Sequence, residues 1–456
     1  MVMQAEEFKG RIVMKTFLND ELLINNKVGL ELYTSIKDLP IIDYHCHLNE
    51  YEISNNTSFN TITELWLKTD HYKWRVMRLC DVDEKYITGN ASDEEKFLAF
   101  AKIMPKLIGN PVYYWAHLEL KMIFGIEEPL NELNALNIYN KCNQMLKTIT
   151  TQSLLKKFKV EFLCTTDDPI SNLEKHGSYD GVVVAPTFRP DRLFNLEEDY
   201  INELSTSSNI KIVDLKSLKK ALENRLDYFV SKGCKISDHG MDFLPIFSES
   251  EEVVDSIFKN RKNITEREKE IFFSHMMYYL ANLYKERDIV MQIHFATFRN
   301  INTKLHKKIG KDSGFDVIRH ETYTDRLAYF FNVLNENDSL PKTILYSLNS
   351  NAVKEMCVIA GSFRNVKIGP SWWFNDTLKG NKEQMEFIAE YGALGTFLGM
   401  LTDSRSFSSY VRFDFFRRIL CSLVGEYVEK GEYDYSSAFE LVEDICYNNI
   451  KDFLKI

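Results

Sequence analysis

Short apolar or β-branched runs that stop abruptly at polar residues recur along the chain, at 40–44, 160–164, 181–185, 234–237, 289–293, 343–346, 366–369 and 398–401. Runs this short and this sharply bounded predict strands buried on both faces of a parallel sheet. Between most of them lie longer stretches with apolar residues three and four positions apart, at 215–232, 264–286, 322–335 and 383–391, which predict amphipathic helices. Strand alternating with helix is the pattern of βαβ units. Eight strands favour a closed (β/α)8 barrel, with a doubly wound open sheet as the competing arrangement.

The interval between the first two strands breaks the rhythm. Residues 49–159 span over a hundred positions, where a βα unit needs about 30. The stretches 61–79, 92–108, 112–124 and 129–158 have helical spacing, and no Gly/Ser linker sets them apart. The expected organisation is a barrel with terminal helices from 1–48 and 160–456, and a helical insertion, 49–159, capping the barrel mouth.

Composition narrows the class. At 456 residues, 45% hydrophobic and 27% charged, with only 19 Gly and 10 Pro, the chain is neither disordered nor linker-dominated. Its formal net charge of −10, without a basic run interleaved with aromatics, argues against a nucleic-acid partner. The cysteines at 46, 80, 142, 164, 234, 357, 421 and 446 form no C-x-x-C pair, as expected of reduced thiols in a cytoplasmic protein. Residues 1–11 lack the apolar core of a signal peptide, and no apolar run approaches the ~18 residues of a membrane span.

Candidate chemistry sits at strand ends. In Asp43-Tyr-His-Cys-His47 two histidines stand at i and i+2, so the two-residue period of a strand puts both imidazoles on one face and Cys46 on the other, toward the core. His294 ends the fifth strand, as a third ligand or a substrate donor; Asp403 follows the eighth, with Arg405 two residues on. Strand ends at the mouth are where a barrel carries its active site. Asp167 and Asp168, after the second strand, are equally suited to capping a helix.

These blocks, together with Asp70-His-Tyr-Lys-Trp-Arg75, Gly109-Asn-Pro, His117-Leu-Glu-Leu120, Thr165-Thr-Asp-Asp-Pro169, Pro186-Thr-Phe-Arg-Pro-Asp191, Ser237-Asp-His-Gly240, Trp372-Trp-Phe-Asn-Asp376 and Leu401-Thr-Asp-Ser-Arg-Ser-Phe407, run nearly the whole length of the chain. In them the sequence resembles the uronate isomerase (glucuronate isomerase) family of the amidohydrolase superfamily. The resemblance implies an α/β fold, a distorted (β/α)8 TIM-like barrel of the metal-dependent hydrolase type with a helical insertion after strand 1. It implies the conversion of D-glucuronate to D-fructuronate and of D-galacturonate to D-tagaturonate in hexuronate catabolism. It further implies one divalent metal ion, usually zinc, on His45, His47 and Asp403, with His71, Tyr72 and Arg405 as catalytic candidates. Arg189, Arg405, His294, Trp372 and Trp373 are the implied substrate contacts. The only partners expected are hexuronates and further copies of the chain in a homo-oligomer. The sequence departs from the family pattern at Phe295-Ala296, where a glycine often follows the histidine, and at Val411, where proline is common.

The chemistry is consistent. Moving a proton from C2 to C1 of an aldose needs charge stabilisation at the oxygens, a base near C2, a group to move the oxygen-bound proton, and a fork for the C6 carboxylate. The alternative within the superfamily is a mononuclear metal-dependent hydrolase; a binuclear one is disfavoured because Ser237-Asp-His-Gly240 offers no lysine for carbamylation after strand four, and Lys235 lies inside the strand. A catalytically dead scaffold would have lost the ligand residues, which are all present.

Overall fold

A computed structural model describes residues 17–456 apart from Lys311. Its centre is a parallel sheet. Strand Ile41–Asp43 pairs with Val160–Cys164, and that strand with Val182–Ala185. Thr187–Phe188 continues the ladder to Ile236–Gly240, Val290–Phe295, Thr343–Ser347 and Val366–Ile368, each pair parallel. The two halves are divided at Pro186, which has no N–H to give a ladder. Bonds from Asp167 N–H to the Thr187 carbonyl and from Arg189 N–H to the Asp167 carbonyl, at 3.0 and 2.9 Å, carry the pairing past it.

The eighth run departs from expectation: residues 398–401 form no ladder strand. Gly399 turns the chain with φ of 71°, and a Cβ there would stand 2.1 Å from the Ile445 carbonyl oxygen, so this close approach requires glycine. The segment joins the first strand farther along. Asp403 N–H donates to the His45 carbonyl at 3.0 Å, and His47 N–H to the Ser404 carbonyl at 2.9 Å. The result is a helix-wrapped α/β fold about a mainly parallel sheet, consistent with the distorted barrel that the pattern favours.

Residues 49–159 supply seven α-helices among the described residues, Glu50–Ser54, Ile62–Leu67, His71–Leu79, Asp93–Ile103, Pro111–Phe124, Ala135–Leu146 and Thr151–Lys157. The stretches 61–79 and 129–158 are each split by a capping residue inside the periodic pattern. Asp70 accepts from the N–H groups of Tyr72 and Lys73 and starts a new helix, and Thr150 does so through a capping box with Ser153. Among the described residues no helix is long and apolar enough to cross a membrane.

Beneath the helix His71–Leu79 lies a buried charge cluster in which Lys73 Nζ is 3.0 Å from Asp70 and 3.3 Å from Glu119. At the opposite pole the helices Lys27–Ile36 and Val411–Glu429 cross at Gly29 and Gly425, where a Cβ on Gly425 would meet the Gly29 nitrogen at 2.4 Å. Helix propensity favours Ala over Gly by about 1 kcal/mol, but here backbone meets backbone. Gly425→Ala is therefore expected to destabilise by about 1–3 kcal/mol in denaturant unfolding; a stabilised variant would show that the crossing relaxes freely.

Burial pushes Glu119 up to about 7 despite the neighbouring Lys73. A carboxyl raised above its unfolded value takes up a proton on folding, so its contribution is present below about pH 4.5 and lost as pH rises through 7. Glu119→Gln, which stays neutral, should gain on the wild type by on the order of 1–2 kcal/mol between pH 5 and pH 8. A pH-independent difference between the two unfolding curves would mean that Glu119 keeps one charge state throughout.

Candidate active site

The first strand ends at Asp43, and the chain then runs extended through His45 and His47. Their rings lie edge to face with centroids 5.2 Å apart. Both Nε2 atoms approach one oxygen, Asp403 Oδ1, at 3.2 and 3.1 Å. The other oxygen, Oδ2, accepts from the Trp372 indole N–H at 2.9 Å. Asp403 is placed by its neighbour: Thr402 donates to the Asp43 carboxylate through its N–H at 2.9 Å and its hydroxyl at 2.6 Å.

A second buried group stands behind. Asp238, from the strand Ile236–Gly240, faces His294 Nδ1 at 2.7 Å through Oδ1 and Arg189 Nη1 at 2.9 Å through Oδ2. Arg189 is also fixed by Asp191 at 2.8 Å. Burial would raise the Asp238 carboxyl, but Arg189, His294 and His45 hold it well below the usual range. Facing that carboxylate, His294 Nδ1 is the donor, and its Nε2 is buried without a hydrogen-bond partner.

Two sets of ligand-type side chains bring their ligand atoms within 4.8 Å of one another among the described residues, His45 with Asp238 and His294, and His45 with His47 and Asp403. In the first set Asp238 is bonded to His294 through Oδ1 and ion-paired with Arg189 through Oδ2, which makes no hydrogen bond of its own. The second set fits a cation better: metal bonds of about 2.0–2.2 Å at tetrahedral angles place ligands about 3.3–3.5 Å apart, close to the observed approaches. Burial, with Arg405 nearby, takes His47 down to about 4, so it is neutral with a lone pair to give. Burial would raise Asp403, but its bonds to His45 and His47 hold it well below the ordinary carboxylate range and keep it ionised.

These groups line a cavity of about 260 Å³ together with Thr166, Arg299 and Asp312. That is small beside pockets for drug-sized ligands, about 300–1,000 Å³, and suits a compact polar molecule. Of the residues singled out in the sequence, His45, His47, His71, Arg189, His294, Trp372, Trp373, Asp403 and Arg405 line it. His71 is the first residue of its helix, capped by Asp70, and its ring meets Trp373 at 5.3 Å. Tyr72 is not on the cavity wall: its ring stacks on His71 at 4.9 Å and lies under the Arg412 guanidinium. Asp167 belongs to the frame, accepting from the Thr165 hydroxyl and the Thr187 N–H. Arg405 pairs with the exposed Asp312 at 3.1 Å, on the wall between this cavity and an outer hollow of about 710 Å³.

Sequence reasoning missed Asp238, Arg299 and Asp312 as site residues. Asp238 carried a signal, because it lies in a strand-end block on the same inward face as its partner His294. Arg299 and Asp312 come from the irregular stretch after the fifth strand, where no periodicity marks them. Of the residues on the cavity wall, Asp312, Trp373 and Asp403 have left-handed backbones, with φ of 57°, 53° and 45°, and so has Ala296, two residues after His294, with φ of 66°. Ala296 belongs to the Phe295-Ala296 pair where the family resemblance leads one to expect a glycine after the histidine, and its φ is one that glycine adopts without strain.

Comparison with known proteins agrees with this geometry. The family model described as glucuronate isomerase matches residues 14–454. A uronate isomerase of Brachyspira hyodysenteriae is 43% identical over 96% of this chain and 98% of its own length. Another, from Clostridium perfringens, is 41% identical over 97% of this chain and its full length. Among solved structures, the uronate isomerase of Thermotoga maritima superposes with a TM-score of 0.93 at 35% identity, covering 96% of this chain and all of that one. The glucuronate isomerase of Caulobacter crescentus does so with a TM-score of 0.91 at 26% identity and 96% coverage of both chains. With the match running from near the first residue to near the last, this chain belongs to the glucuronate isomerase family.

Proposed function

We propose that this chain is an aldose–ketose isomerase that interconverts D-glucuronate with D-fructuronate and D-galacturonate with D-tagaturonate. The observation that carries the reading is one small polar cavity in which an ionised Asp403 stands among four imidazoles and three arginine forks.

His45, His47 and Asp403 would hold a single divalent cation, for which zinc suits the two-imidazole, one-carboxylate donor set. When bound, such an ion supplies Lewis-acid stabilisation of negative charge developing on the substrate oxygens. The remaining work falls to the chain. Asp403, ionised and oriented by the Trp372 indole, accepts the proton from C2 and returns it to C1. His71, on the cavity wall, moves the proton between the oxygens, with Tyr72 stacked behind to set its ring plane. Arg405 presents the fork for the C6 carboxylate, and Arg189, pinned by Asp191 and Asp238, offers its remaining N–H groups to hydroxyls. His294 points an unpartnered Nε2 from the cavity wall, suited to accept from a substrate hydroxyl. Trp372 and Trp373, packed against His294 and His71, offer the apolar part of the wall.

In this reading residues 49–159 are a helical cap on the mouth of a barrel built from 1–48 and 160–456, a division supported by the reach of His71 into the cavity. The eight free cysteines, seven of them buried, suit a reducing compartment, so we place the enzyme in the cytoplasm, as a homo-oligomer. A hydrolase reading gains nothing from the site, since among the described residues the one other carboxylate on the cavity wall, Asp312, is paired with Arg405 and no lysine lines it.

Purified protein loaded with zinc should convert D-glucuronate to a ketose detectable by colorimetric assay, and absence of product would remove the proposal. Metal analysis should find about one equivalent in the wild type and a sub-stoichiometric amount in Asp403→Asn, with turnover down by at least about 100-fold; a variant with wild-type turnover would clear Asp403 of both roles. Arg405→Lys replaces a fork by a point charge and should raise KM about tenfold. Unchanged kinetics would take Arg405 out of the site.

A further inference from the structure

The peptide that joins Thr402 to Asp403 is held at both polar ends. Its N–H donates to the His45 carbonyl at 3.0 Å, and its carbonyl accepts from Arg412 Nη1 at 3.0 Å. The orientation of this peptide sets the φ of Asp403, which lies in the left-handed region at 45°, a conformation a non-glycine residue keeps only where its surroundings impose it. Arg412 is among the largest fully buried side chains, 2% exposed. Beyond its bond to Thr402 its guanidinium lies over two rings, 4.1 Å from the centroid of Trp115 and 4.7 Å from that of Tyr72. Tyr72 in turn stacks on His71 with the ring planes 17° apart. One guanidinium therefore touches the backbone that aims Asp403 and the ring that backs His71, though it does not line the cavity itself.

Burying a lone cation is costly, and the surroundings show how it is met: Asp70, Asp376 and Glu119 lie close enough to favour the charged form. A packed apolar side chain would avoid that cost. Lysine would keep the charge and one donor, but it has no flat face to lie against two aromatic rings. The arginine makes two contacts with different parts of the chain, and those parts are the two sides of the site.

We propose that Arg412 is a positioning residue: it fixes the Thr402–Asp403 peptide so that the Asp403 carboxylate faces His45 and His47, and it sets His71 relative to that carboxylate through the face of Tyr72. The functional consequence rests on the roles proposed above for Asp403 and His71; the positional claim does not.

The test compares Arg412→Met with Arg417→Met. Arg417 is a buried arginine on the same helix that also binds backbone carbonyls, those of Lys37, Leu39 and Pro40 at 3.0–3.1 Å, at the far end of the first strand. Both variants should lose thermal stability. Only Arg412→Met should weaken zinc binding, by about 10–100-fold in competition with a chromophoric chelator, and lower kcat at least tenfold with KM within threefold of wild type. Arg412→Lys should recover most of the zinc affinity through its bond to Thr402, while kcat stays low because the stack on Tyr72 is lost. It also serves if the methionine variant does not fold.

A fourth readout needs neither zinc nor uronate. The Trp372 indole N–H, which donates to Asp403, should shift its ¹H–¹⁵N resonance in the Arg412 variants and not in Arg417→Met. If the indole resonance and zinc affinity of the Arg412 variants match those of Arg417→Met, Arg412 only packs and the proposal falls. If the wild type neither binds zinc nor turns over uronates, the functional reading fails, and the indole resonance still decides the role of Arg412.

Discussion

Two backbone hydrogen bonds, Asp403 to His45 and His47 to Ser404, tie the irregular eighth run to the segment that follows the first strand of the sheet. The rest of the site depends on them. They bring a carboxylate from residue 403 against imidazoles from residues 45 and 47, over 350 positions away in sequence. A regular strand would have spread its side chains alternately to the two faces. The irregular segment instead turns at Gly399 and again at Asp403, and so puts one acidic group where the two histidines converge.

Charge is the second constraint. A cavity of about 260 Å³ holds three arginines, four histidines and two aspartates on its wall, with Asp238 just behind. Such a set is tolerable only because each charge has a specific partner: Asp238 between Arg189 and His294, Arg405 against Asp312, Asp403 under two imidazoles. Buried ion pairs of this kind add little to stability and much to geometry. The partners differ in what they leave free. Arg189 is committed to two carboxylates, whereas Arg405 has one exposed contact that an incoming carboxylate can replace.

How much of this was readable beforehand follows from range. The strand runs and the long helices declare themselves by local periodicity, so seven of the eight strand positions and helices such as Glu266–Glu286 stand where the pattern puts them. The eighth failed because Leu398-Gly-Met-Leu401 has the composition of a strand, while the bend at Gly399 is imposed by the Ile445 carbonyl, a contact no local pattern contains. Cap residues inside periodic stretches hid the breaks at Asp70 and Thr150. At the site, residues in recognisable blocks at strand ends were found. Arg299 and Asp312 were not, because they reach the cavity through loop geometry alone, and Arg412 was not because it acts from behind the wall.

The left-handed turns at Ala296, Trp373 and Asp403 also bear on which sequences this chain can reach by mutation. Trp373 and Asp403 stand on the cavity wall itself, and Ala296 directly follows the strand Val290–Phe295. A β-branched side chain at any of them would clash with its own backbone, so Val, Ile and Thr are closed to three rim positions whatever the substrate. Among the other lining residues Asp312 shares this restriction, with φ of 57°, whereas Arg299 does not, so a change of side chain meets less backbone resistance at Arg299. The left-handed turns thus restrict which side chains these positions accept before any contact with a substrate is considered.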